Sequence, residues 1–82
     1  MTERLEVDFA MAEGAMLRML GLIERRGFEV RAMSMTGSAG GGLLAVELSP
    51  RDTGRNIEVM AGQLRRLVDV REVRVANRGL AS

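Results

Sequence analysis

The stretch Gly14-Ala15-Met16-Leu17-Arg18-Met19-Leu20-Gly21-Leu22-Ile23-Glu24-Arg25-Arg26-Gly27-Phe28-Glu29-Val30 changes its periodicity partway along. Apolar residues recur at Met16, Met19, Leu20 and Ile23, a three-and-four spacing that gathers them on one helical face. Arg18, Glu24 and Arg25 fall largely on the other face. Arg25 and Arg26 lie in the last turn, where positive charge suits the helix dipole, and Gly27 suits a left-handed residue just past the helix end. Alternation then takes over, with Phe28 and Val30 against Glu29 and Arg31. The spacing predicts a helix that stops at Gly27 and passes directly into a strand.

On the N-terminal side, residues Arg4 to Phe9 alternate: Leu5, Val7 and Phe9 share one face, and Arg4, Glu6 and Asp8 the other. That is the pattern of a half-buried strand. Ala10 to Glu13 connect it to the helix, whose start has no Ser, Thr, Asp or Asn cap; Glu13 places negative charge at the fitting end. On the C-terminal side, a second strand runs from Phe28 to about Thr36. Its parity slips, because Phe28, Val30 and Ala32 alternate on one face and Met33 and Met35 on the other. Either a bulge shifts the parity or both faces are partly covered. Residues Gly37 to Gly42 read as a glycine-rich turn, and Leu43 to Leu48 as a third strand with Leu44, Val46 and Leu48 inward, ended by Pro50. A second helix is expected from Asp52 or Thr53 to about Leu67, with Ile57, Met60, Ala61, Leu64 and Leu67 or Val68 as its apolar stripe. Val70 to Ala76 alternates as a last strand, with Val73 and Val75 inward.

The order strand–helix–strand–strand–helix–strand, with right-handed crossovers, interleaves into a four-stranded antiparallel sheet with both helices on one face. This is an α+β, ferredoxin-like βαββαβ sandwich. The expected strand order is 4-1-3-2, which leaves the second and fourth strands at the edges. The 82 residues are read as one domain, with a core over about 4–76 and a frayed tail over 77–82.

Composition narrows the functions open to such a domain. A chain this short buries only roughly 60–65% of its unfolded surface, which leaves little room for a catalytic cavity. It has no cysteine and no histidine, so no disulfide, no thiolate metal site and no histidine base. All twelve basic residues are arginine, balanced by eleven acids to a net charge of +1. That balance gives no electrostatic case for nucleic acid. RNA binding on this fold also needs stacking aromatics on the sheet, and the two phenylalanines are both assigned inward. No apolar run approaches a membrane span, and the N-terminus is charged at once, so the chain is read as soluble and cytoplasmic.

The glycine cluster at residues 37–42 lacks the lysine of a phosphate-binding loop and is read as a hairpin turn. Acylphosphatase-type chemistry is also disfavoured, because Arg4 is the sole arginine near the first strand and the loop lacks the expected pattern. Met16, Met19 and Met60 fall at core spacing, whereas Met33 and Met35 lie on a predicted edge strand. Apolar residues there invite pairing, and a symmetric dimer through the second strands would cover them. The arginine pairs Arg25–Arg26 and Arg65–Arg66 read as solvated helix ends, with a docking surface as the alternative.

Two segments resemble a known family. Residues Gly14 to Phe28, together with Gln63-Leu64-Arg65-Arg66-Leu67-Val68-Asp69-Val70-Arg71-Glu72-Val73, are similar to the ACT domain in small regulatory subunits of acetolactate synthase. The resemblance implies a non-catalytic subunit that binds and activates a large catalytic subunit in branched-chain amino acid biosynthesis. Thiamine diphosphate, magnesium and FAD belong to that large subunit, and no cofactor is expected on this chain. The resemblance also implies an amino-acid effector site at Met11, Gly14, Ala15, Glu29 and Val30, beside the homodimer expected through Met33 and Met35. Longer family members carry a second domain, so the chain is most similar to the short small subunit of the valine-insensitive isozyme. Valine-sensitive members carry asparagines where this sequence has Met11 and Glu29, so a weak or absent valine response is expected. The alternative is a stand-alone ACT sensor that binds another small amino acid across a dimer interface.

Overall fold

The structure, a computed structural model, describes residues 2–38 and 40–76. Six elements follow in the expected order: β1 (Glu3–Ala10), α1 (Ala15–Arg25), β2 (Phe28–Ser38), β3 (Gly41–Pro50), α2 (Ile57–Arg65) and β4 (Val70–Ala76). The sheet order is β2-β3-β1-β4, with all three pairings antiparallel. The tail expected at 77–82 lies outside the described residues.

One face of the sheet meets the helices. Leu5, Val7 and Phe9 of β1, Leu44, Val46 and Leu48 of β3, and Val73 of β4 are buried there. Ala15, Met19, Leu22 and Ile23 come down from α1, and Ile57, Met60, Ala61 and Leu64 from α2. The apolar seam of α1 therefore centres on Met19, Leu22 and Ile23, with Met16 and Leu20 at its half-buried flank. The second helix ends at Arg65, short of the expected Leu67; the stripe position left open resolves to Leu67, which packs on the core just past α2, while Val68 is 94% exposed. Filling one such core position with alanine costs about 2–5 kcal/mol.

The parity slip in β2 is a bulge. Val30 pairs with Leu48 and Ala32 with Glu47, so Arg31 is the extra residue. Phe28 and Val30 thus share the helix-side face with Leu48, and after the bulge Met33 and Met35 return to it opposite Val46 and Leu44.

Several expected boundaries move. The glycine turn shrinks, because Gly37 pairs with Gly42 and Ser38 with Gly41, so both hairpin strands run through the glycines. The sheet ladder needs only backbone groups, which glycine supplies. The first strand gains one residue at each end. The second helix starts at Ile57, not near Asp52: Gly54 sits at φ 89°, which no helix continues through, and Asn56 is the cap. Its side-chain oxygen accepts the Glu58 N–H at 2.8 Å and the Val59 N–H at 3.4 Å.

Candidate functional site

The connection from β1 to α1 sits at the end of the sheet where β3 begins, since Ala10 pairs with Gly41. Gly14 is the residue before the helix and holds φ 78°, a left-handed conformation that a side chain resists. It has no side chain to cap the helix, and α1 carries no acid in its first turn; Glu13 is exposed before it. A carboxylate reaches this first turn from Asp69, 51 residues from Arg18 in sequence. The Arg18 guanidinium lies over Gly14, where a Cβ would fall 3.0 Å from Nη1, and pairs with Asp69. Arg18 Nε donates to Asp69 Oδ2 at 3.1 Å, and Nη2 donates to the same oxygen. The Asp69 carbonyl accepts the Ala10 N–H at 2.7 Å.

The expected effector residues fall into two groups. Met11, Gly14 and Ala15 are at this end: Met11 is half exposed beside Gly42, and Ala15 is buried. Glu29 and Val30 are at the opposite end of the sheet, near the start of β2. Glu29 is exposed and pairs with Arg31 at 3.4 Å, while Val30 is half-buried. Within one chain the two groups do not meet.

The two sheet edges differ. On β4, the Val73 carbonyl accepts Arg65 Nη2 at 2.9 Å, so that edge is partly blocked by a side chain. This contact is absent from the sequence pattern, which marks Arg65 as a solvated helix end or part of a docking surface. On β2, Met33 and Met35 are 49% and 46% exposed, and residues 31–37 are all exposed. Their helix-side face extends past the cover that α1 gives to Phe28.

The helix-free face of the sheet is charged. Arg74 donates to Glu6 at 3.1 Å and lies 3.3 Å from Glu72; Arg4 lies 3.7 Å from both Glu6 and Glu47. The hydrogen bond that Arg74 donates to Glu6, then the charge of Glu72, raise the Arg74 pKa above its ordinary value. Such a self-satisfied, solvated network adds little stability. A depression of about 200 Å³ between Arg26, Phe28, Arg55 and Asn56 lies at the far end from Gly14. Among the described residues, no group of three His, Cys, Asp or Glu is placed to hold a metal, and no helix is long and apolar enough to cross a membrane.

A four-stranded antiparallel sheet with two helices on one face, in the order βαββαβ, defines a small domain of the ferredoxin-like class. Residues 11–73 match the ACT domain family, and the chain belongs to it. Domains of this family are regulatory and non-catalytic. The ACT domain of a GTP pyrophosphokinase from Chlorobium tepidum superposes with a TM-score of 0.76 at 13% identity, covering 92% of this chain and 96% of that one. The acetolactate synthase small subunit from Thermotoga maritima gives 0.78 at 20% identity, covering 95% of this chain and 48% of the other, so this chain spans about half that subunit. The C-terminal domain of the MgtC protein from Mycobacterium tuberculosis gives 0.68 at 17% identity, covering 99% and 90%. At these identities the likeness is one of fold. No curated protein sequence matches the chain significantly.

Proposed function

We propose that this chain is the regulatory small subunit of an acetolactate synthase. It binds the catalytic large subunit, raises its activity in the biosynthesis of valine, leucine and isoleucine, and acts in the cytoplasm. The observation that carries this reading is the pair of matched segments, 14–28 and 63–73, which meet physically through Arg18 and Asp69. The Thermotoga small subunit has the same fold.

The working unit is a homodimer paired through β2. Its bare edge, with Met33 and Met35 exposed, supports this over pairing through β4, where Arg65 occupies the Val73 carbonyl. A two-fold antiparallel pairing of β2 also brings Glu29 and Val30 of one copy to the end that carries Met11, Gly14 and Ala15 of the other. An effector site of that composition lacks neutral polar groups: Met11 offers a thioether, and the Glu29 carboxylate repels a ligand carboxylate. The response to valine is therefore weak or nil.

Co-elution tests the partnership. Mixed with its cognate catalytic subunit, the chain is expected to run with it on size exclusion; separate elution at micromolar concentrations would count against the assignment. If a small amino acid stabilises the isolated chain in a thermal-shift screen while no co-elution occurs, a stand-alone ACT sensor is the better reading.

A further inference from the structure

The junction between α2 and β4 makes contacts in two directions. Asp69, just before β4, accepts the Ala10 N–H on its carbonyl at 2.7 Å and holds the Arg18 guanidinium on a carboxylate whose side chain is only 14% exposed. Both contacts fix the loop that leads into α1. Arg71, two residues on, turns to the helix-free face. It is the extra residue of a β1–β4 bulge, since Phe9 pairs with Val70 and Asp8 with Glu72. A bulge re-aims the side chain that it carries. Arg71 crosses β1, passes 3.9 Å from Asp8, and donates from Nη2 to the Gly40 carbonyl at 3.0 Å. Gly41 leaves room for it, because a Cβ there would lie 2.9 Å from Arg71 Nη1.

We propose that Asp69-Val70-Arg71 is a mechanical hub that couples the loop before α1 to the tip of the β2–β3 hairpin. A partner or ligand that displaces one of these segments shifts the other through the bulge. The hub lies within a single chain and does not depend on which enzyme the chain serves. Its basis is a contiguous set of hydrogen bonds and ion pairs on either side of Val70, one physical form in which coupling is carried.

Hydrogen exchange and ¹⁵N relaxation on the full chain test it. Arg71→Gln removes the Gly40 and Asp8 contacts and leaves those of Asp69 untouched, yet is expected to speed exchange of the Ala10 amide about fivefold, the upper range for an exposed charged contact. Asp69→Asn is expected to raise the mobility of the Gly40 to Gly42 amides. Amides at the centre of β1, such as Leu5, keep their rates in both. If Asp69→Asn does not fold, Arg18→Gln removes the same ion pair with Asp69 retained. Effects confined to each residue's own contacts, or a uniform acceleration of the whole sheet, would overturn the proposal.

Discussion

Gly14 and Gly62 make opposite predictions for the same substitution. Gly14 holds φ 78° under the Arg18 guanidinium, so Gly14→Ala should destabilise the chain by about 1–2 kcal/mol. Gly62 lies inside α2 with no atom within 4 Å of an added Cβ, so Gly62→Ala should stabilise by about 0.5–1 kcal/mol. Urea unfolding of both variants checks the sign of each. The glycine before the first helix is visible in sequence, and its need for a left-handed residue is not. The Arg18–Asp69 pair is less legible still. Its partners stand 51 residues apart, and no local pattern distinguishes Arg18 from the other arginines that line the helices.

At the scale of elements, periodicity carries the helix and strand assignments, and turn chemistry decides their ends. The start of α2 is instructive. Asp52, Thr53 and Asn56 are all able to cap a helix, and choosing among them requires knowing that Gly54 adopts φ 89°. Asn56→Ala should cost about 1 kcal/mol, read as a lower urea midpoint with an unchanged slope. The β2 edge makes a separate prediction. Met33→Lys with Met35→Lys places two charges on strands that would face each other across the proposed two-fold. Sedimentation should show a monomer for the double variant and a dimer for the unaltered chain. The variant's far-UV circular dichroism should match that of the unaltered chain. A wild-type monomer would remove the dimer from the account. The alternation in β2 leaves a bulge and two covered faces equally open, and only the pairing of Val30 with Leu48 and Ala32 with Glu47 selects the bulge.

The whole molecule follows from patterns that reach along the chain. Six alternating or helical stretches and one chirality rule suffice for the sheet order, because each strand offers one apolar face and both helices must cover it. What the pattern cannot place is which ends come together, and so Met11 and Glu29 are assigned to one effector site while lying at opposite ends of the sheet within one chain. Charge also acts at this scale. The chain has no histidine or cysteine, and Arg74 has its pKa raised by Glu6 and Glu72. A raised folded-state pKa contributes stability below the arginine range, which is lost only as the pH climbs through it. Urea midpoints should therefore be nearly flat between about pH 6 and 9. A step near pH 6.5 would contradict this.

The most direct measurement is the rate of acetolactate formation by the cognate catalytic subunit as this chain is titrated in. The expected result is a rise that saturates near one chain per catalytic chain and changes little when valine is added. A flat titration at concentrations where the catalytic subunit is stable would contradict the assignment. Strong inhibition by micromolar valine would contradict the reading of Met11 and Glu29.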